Sequence, residues 1–330
     1  MGCINDAFNR PINYLRVSVT DRCNLRCVYC MPPEGVQLIP HEEILRYEEI
    51  ELIVRAATSL GLSKVRLTGG EPLVRAGIVG LVRALANVPG IDDLAMTTNG
   101  LLLTQQARAL AAAGLRRVNV SLDTLRPERF ARLTRLGKLE QVLAGIEAAQ
   151  AAGLAPVKLN TVVVRGLNDD EVVDIARTTL EHDWHVRFIE LMPLVESADW
   201  AADGYVPASE IKARVETLGP LAPAAGAVKA GNGPARYYRL PGARGTVGFI
   251  TPVSEHFCFQ CNRLRLTADG KLRPCLLRAD EVDLRAPLRA GANEAEVANL
   301  IASAVHLKPE GHELARHRTP EGRTMSQIGG

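Results

Sequence analysis

Leu15-Arg16-Val17-Ser18-Val19-Thr20 runs through Asp21-Arg22 into Cys23-Asn24-Leu25-Arg26-Cys27-Val28-Tyr29-Cys30. The first six residues alternate apolar and polar, the period of a half-buried strand, and three thiols follow within eight residues. In a chain with no secretory leader, close cysteines are better metal or redox ligands than disulfide partners, because a reducing compartment keeps thiols free. Soft thiolates on one short loop suit zinc or an iron-sulfur cluster. A four-iron cluster held by three cysteines leaves one iron open to another ligand. The other chemistry the loop permits is a zinc ion completed by a distant residue such as His41.

Outward from this loop, short apolar strands alternate with longer helical stretches as far as Met192. The expected strands are Leu15 to Thr20, Lys64 to Thr68, Asp93 to Thr98, Arg117 to Leu122, Pro156 to Val164 and Val186 to Met192. The expected helices are Glu42 to Leu60, Ile78 to Asn87, Gln105 to Ala113, Leu139 to Ala152 and Asp169 to Glu181. Gly61, Gly90, Gly114 and Gly153 stand where helix C-termini favour glycine. Six βα units predict a parallel sheet, either open and doubly wound or curved into a barrel. Polar residues gather where the strands end: Thr68-Gly69-Gly70-Glu71, Thr97-Thr98-Asn99, Ser121-Leu122-Asp123, and Glu190 with Met192. Ligands bind on that face of parallel α/β folds.

The 330 residues are 47% hydrophobic with few aromatics, and no apolar run reaches the ~18 residues of a membrane helix. A net charge of +2 with no basic stripe argues against nucleic-acid and membrane-surface binding. The start, Met1-Gly2-Cys3-Ile4-Asn5-Asp6, has no charged and apolar leader, and Asp6 stands where a myristoylation signal takes Ser or Thr. An untargeted, cytoplasmic protein is expected.

After Met192 the composition shifts to loop-like sequence, then to strands at Tyr237 to Leu240 and Thr246 to Ile250. Cys258-Phe259-Gln260-Cys261 follows, and Asp269-Gly270 marks a hairpin that folds Cys275 back onto that pair. This second trio suits a Cys3His zinc site with His256 or a second cluster. Division at residue 192 gives units 1–192 and 193–330, the latter an antiparallel extension covering the open side of a barrel. Cys3 and the stretch near residues 219 to 235 carry no signal of function.

The spacing Cys-x-x-x-Cys-x-x-Cys after a first strand, with Tyr29 before the last cysteine, resembles the signature of the radical S-adenosylmethionine (SAM) superfamily. That resemblance implies an incomplete (βα)6 barrel and a [4Fe-4S] cluster on Cys23, Cys27 and Cys30, whose open iron holds SAM for reductive cleavage to a 5'-deoxyadenosyl radical. It implies cofactor contacts from Tyr29, Gly70, Ser121 and Met192. The whole chain further resembles the GTP 3',8-cyclase family, also called molybdenum cofactor biosynthesis protein A. The likeness rests on Thr68-Gly69-Gly70-Glu71-Pro72-Leu73, Thr97-Thr98-Asn99-Gly100, Asn119-Val120-Ser121-Leu122-Asp123, Arg187-Phe188-Ile189-Glu190-Leu191-Met192, the second trio and the ending Met325-Ser326-Gln327-Ile328-Gly329-Gly330.

This second resemblance implies hydrogen removal from ribose C3' of GTP, attack on guanine C8, and formation of 3',8-cyclo-7,8-dihydro-GTP in the first step of molybdopterin synthesis. A second [4Fe-4S] cluster on Cys258, Cys261 and Cys275 would hold the guanine. GTP contacts fall on Arg16, Arg66, Thr97, Lys158, Arg263, Leu264 and Arg265, and catalytic roles on Arg16, Arg263, Arg265, Gly329 and Gly330. Guanidinium forks on strands suit a triphosphate. Implied partners are an electron donor and, for the product, cyclic pyranopterin monophosphate synthase, with the chain a monomer or homodimer. The alternatives are a radical SAM peptide or protein maturase with an auxiliary cluster, or a zinc-stabilised binding module.

Overall fold

The computed structural model describes residues 2–192, 203–224, 233–314, 323 and 325–329. Strands β1 (Tyr14–Ser18), β2 (Lys64–Thr68), β3 (Asp93–Thr98), β4 (Arg117–Ser121), β5 (Lys158–Val163) and β6 (His185–Glu190) match the six predicted ones to within a few residues. They pair in chain order, all parallel. Helices α1 (Tyr47–Ser59), α2 (Ile78–Ala86), α3 (Leu103–Ala112), α4 (Pro127–Thr134), α5 (Leu139–Ala151) and α6 (Val172–Glu181) connect them.

Alternation along each strand decides what faces where. Leu15, Val17, Leu67, Met96, Val118, Leu159, Val186 and Phe188 belong to the buried core with apolar residues of the helices, such as Ile50, Ile53, Val54 and Ala57 at helical spacing on α1. The intervening residues, among them Arg16, Arg66, Thr97, Asn160 and Arg187, belong to the opposite face of the sheet and line a cavity there.

Two helix boundaries differ from expectation. The chain makes a 3-10 turn at His41–Glu43, and α1 begins only at Tyr47. Buried Leu45 donates its amide to the Ala268 carbonyl at 2.8 Å, a pairing with the later hairpin that a helix through this point would break. Likewise Asp169–Glu171 is a 3-10 turn ahead of α6. Helix α4 has no counterpart in the sequence reading, because its apolar face amounts to Phe130 and Leu133.

The rest of the chain adds α7 (Ala208–Val215), β7 (Ala222–Pro223), β8 (Arg236–Arg239), β9 (Thr246–Ile250), β10 (Arg263–Leu266), β11 (Lys271–Arg273), β12 (Val282–Asp283), α8 (Arg285–Arg289), α9 (Glu294–His306) and α10 (Met325–Ile328). Among the described residues, the twelve strands run in the order β12-β11-β10-β1-β2-β3-β4-β5-β6-β9-β8-β7. The outer strands are antiparallel, as expected, but β9 and β10 add to the two edges of the six-stranded barrel in parallel. With β12 and β7 at opposite ends of the order, hydrogen bonds among the described residues do not close the barrel.

Candidate active site

A cavity of about 340 Å3 is lined by both cysteine trios. Cys23 lies just past the end of β1, whereas Cys261 lies just before the start of β10, which runs parallel to β1 with Tyr14 opposite Arg263. The trios therefore lie toward opposite ends of the strands. Tyr14 to Ser18 spans about 13 Å at ~3.3 Å per residue, so the gap between them accommodates a nucleotide.

Main-chain hydrogen bonds and two arginines hold the first cysteine loop. Arg26 and Val28 donate their amides to Thr134 and Leu133 at 3.0 and 2.9 Å, so the loop hangs on the end of α4. The Arg26 guanidinium donates to the Cys23 and Leu25 carbonyls, and that of Arg135 to the Arg26 and Met31 carbonyls. Burial raises all three thiols, Cys30 to about 12 with Cys23 adding to it, so a bound cation would favour their ionisation.

The second trio differs in its electrostatics. Burial acts to raise the Cys261 thiol, but Arg263 and Lys308 outweigh it and bring the thiol down to about 6. Lys308 is buried and donates to the Arg263 and Pro274 carbonyls at 2.8 and 2.7 Å, next to Cys261 and Cys275. Arg10, paired with Asp6 at 2.6 Å, donates to the carbonyls of Cys258, Pro309 and Glu310. His256 lines the same cavity, while His41 is exposed and does not.

Among the described residues, no three His, Cys, Asp or Glu side chains gather closely enough to hold a single metal ion. Three thiols on the wall of a wide cavity fit a polynuclear cluster, and the donor set is of the soft kind such clusters take.

Between the trios lies a belt of cations. Arg265, Arg16 and Arg66 stand side by side across β10, β1 and β2. Arg187 stands beside Asn160 across β6 and β5. Among the described residues, Arg66 Nε, Arg187 Nε and Nη2, and Asn160 Oδ1 are buried with no hydrogen-bond partner. Burial lowers Arg66 to about 10, and Arg16, Arg187 and Arg117 contribute by repulsion. Arg117 differs, since Asp93 pairs with it. Buried guanidinium groups with unused donors are prepared for a multiply charged anion.

Thr97, Arg263, Gly70, Tyr29, Ser121 and Met192 line the cavity as well. The Tyr29 hydroxyl donates to Asp123, which burial raises to about 6. A Cβ on Gly70 would lie 2.4 Å from the Arg22 carbonyl oxygen, so its missing side chain first serves to seat the turn on the cysteine loop. Leu264 is fully buried in the sheet core and does not line the cavity. Lys158 is also fully buried and off the cavity wall, its amine brought to about 6 by burial first and then by Arg187, Arg117 and Arg66. Gly329 brings its carbonyl to Arg16, Arg265 and Thr68 at 3.0, 3.2 and 3.3 Å, and Gly330 lies outside the described residues.

Three residues escaped the sequence reading as individual candidates. Arg187 carries the same signal as Arg16 and Arg66, a cation on a strand, inside a motif already singled out. Glu71, raised to about 7 by burial, accepts from the Leu73 and Asn99 amides and the Thr98 hydroxyl, and so ties the ends of β2 and β3 together. Asp123 holds Tyr29 and the Val162 amide.

A parallel barrel left open, with a three-cysteine loop leaving its first strand, defines a radical SAM protein. The Radical SAM superfamily model matches residues 17–179, and that for Molybdenum Cofactor Synthesis C matches 184–314. The fold is shared with Streptococcus suis SuiB bound to S-adenosylmethionine, with a TM-score of 0.57 at 15% identity, covering 80% of this chain and 60% of that one. The GTP 3',8-cyclase of Pelotomaculum thermopropionicum is 60% identical, covering 99% of this chain and 100% of the relative. That of Moorella thermoacetica is 56% identical over the same shares. The chain belongs to the GTP 3',8-cyclase family.

Proposed function

We propose that this chain is a radical SAM enzyme converting GTP to (8S)-3',8-cyclo-7,8-dihydroguanosine 5'-triphosphate, the first step of molybdenum cofactor biosynthesis. The observation carrying this reading is one cavity walled by two cysteine trios with buried arginines between them. Cys23, Cys27 and Cys30 hold one [4Fe-4S] cluster, and Cys258, Cys261 and Cys275 a second. With SAM bound, the first cluster supplies a 5'-deoxyadenosyl radical.

The protein's own groups orient and shield the substrate. Arg16, Arg66, Arg187, Arg263 and Arg265 bind the triphosphate and ribose, with Thr97 beside them. Lys158 and Leu264 support them from the sheet. Tyr29, Gly70, Ser121 and Met192 line the end nearer the first trio and contact SAM. The Gly329 carbonyl is held by Arg16 and Arg265 and takes a catalytic role at the reacting ribose in this reading, as does Gly330. The product has the composition of GTP, since the hydrogen atom lost from C3' is matched by one electron and one proton taken up after ring closure. The unit boundary near residue 192, the cytoplasmic location, an electron donor for the clusters and handover to cyclic pyranopterin monophosphate synthase complete the reading. Among the described residues, no helix is long and apolar enough to cross a membrane.

Anaerobic incubation of the reconstituted protein with a chemical one-electron reductant, SAM and GTP should yield a GTP isomer lacking the ribose C3' proton. Equal 5'-deoxyadenosine formation with ATP, CTP and UTP, and no such isomer, would overturn the assignment.

A further inference from the structure

We propose that Arg323 is the positioning residue that docks the C-terminal tail in the active site. The proposal rests on the reading of the Gly329 carbonyl as an active-site group.

Met325 and Ser326 line the cavity, and Gly329 reaches Arg16, Arg265 and Thr68. Yet α10 is a single turn, and a lone helical turn in water is unstable without tertiary support. Burial of Ile328 provides part of that support. A charged clamp provides the rest. The Arg323 guanidinium makes a fork on Asp269, Nη1 to Oδ1 at 3.1 Å and Nη2 to Oδ2 at 3.0 Å. The same group meets Glu281, with Nη2 to Oε2 at 2.9 Å and Nε to Oε1 at 2.6 Å.

Both acceptors are already fixed. Asp269 accepts from the Thr267 hydroxyl at 2.6 Å in the turn joining β10 to β11, and Glu281 pairs with Arg273 at 2.5 Å. Side chains at this clamp are 12 to 21% exposed, so water screens it less than a surface pair. The hairpin that receives Arg323 also carries Arg265 and leads into Cys275. Anchoring the tail there sets its reach: Gly329, six residues beyond Arg323, meets Arg16 and Arg265 from a fixed base. Arg323 acts through the tail and does not itself line the cavity.

The test is hydrogen exchange, read by mass spectrometry on the full-length reconstituted protein. Arg323→Met should raise exchange at Ser326 to Gly329 by about tenfold while leaving residues 263–273 protected, and should lower the cyclisation rate. Arg323→Lys, which keeps the charge without the fork, should give intermediate protection and rate. Unchanged tail protection in Arg323→Met would overturn the proposal. An equal loss of protection across 263–273 would also overturn it, since Arg323 would then serve the hairpin's own fold. Failure of the underlying enzyme reading is separate, because the unaltered protein would then form no cyclised product whatever its tail exchange.

Discussion

Arg16 on the first strand donates Nη2 to the Gly329 carbonyl at 3.0 Å, across 313 residues of sequence. Arg265, beside Arg16 in the sheet, donates to the same oxygen at 3.2 Å. A carbonyl held by two buried guanidinium groups has a fixed direction, and it fills part of the acceptor demand of the cation belt before substrate arrives. The strand arginines and the tail are thus one unit.

Gly329 has φ +75°, and a Cβ there would lie 2.8 Å from Thr68 Cγ2 and 3.2 Å from Ser18 Cβ. Gly329→Ala should therefore displace the carbonyl and slow cyclisation by about tenfold or more. Formation of 5'-deoxyadenosine should persist, because the first cysteine loop is untouched. Parallel assay of both products checks this, and an alanine variant with unaltered cyclisation would show that the carbonyl's position does not matter.

Arg187 is surrounded by like charge and has buried, unpartnered donors among the described residues. Arg187→Met should raise the KM for GTP by about ten- to a hundredfold, the range for losing a charge-assisted hydrogen bond. The substrate-free protein should melt no lower than the unaltered one, since a buried repulsion is removed. Steady-state kinetics with thermal melts measures both. A KM change below about twofold would remove Arg187 from the substrate site.

His185 offers a pH test away from both cysteine trios. Its Nδ1 lies 2.6 Å from the Thr246 hydroxyl oxygen, and burial, with Lys158 and Arg187 nearby, lowers it from 6.5 to about 4. Between those values the unfolded chain binds a proton that the folded one does not. Stability from this residue is complete above pH 6.5 and is lost as pH falls toward about 4. His185→Gln should flatten that part of the melting-temperature profile. Identical slopes for the two proteins would contradict the account.

Lys308 bridges the Arg263 and Pro274 carbonyls, next to Cys261 and Cys275 of the second trio. Lys308→Met leaves two carbonyls without their donor and removes a cation from beside Cys261 and Cys275. Iron should fall from about eight per chain toward about four, with SAM still bound at the first cluster. Metal and sulfide analysis reads this directly, and full iron loading in the variant would show that the trio organises itself without Lys308.

The strands were legible because one face of each packs on helices while the other is polar, and that alternation survives in sequence as Leu15-Arg16-Val17 or Val65-Arg66-Leu67. Helix α4 was not, since it is little more than two turns long and only Phe130 and Leu133 in it are large and apolar. Parallel pairing of β10 with β1 joins residues some 250 apart, which no local pattern encodes. That pairing is also what sends the second trio to the opposite end of the strands from the first. Cysteine spacing located each trio, whereas the roles of Lys308 and Arg10 depend on carbonyls brought together only by the fold.

The central claim is hydrogen transfer from ribose C3' of GTP inside this cavity. The most direct measurement is an anaerobic reaction of the reconstituted, reduced protein with SAM and GTP deuterated at C3', followed by mass analysis of 5'-deoxyadenosine. The account predicts one deuterium in 5'-deoxyadenosine and none at C3' of the cyclised product. Unlabelled 5'-deoxyadenosine formed from labelled GTP by protein with both clusters intact would contradict it.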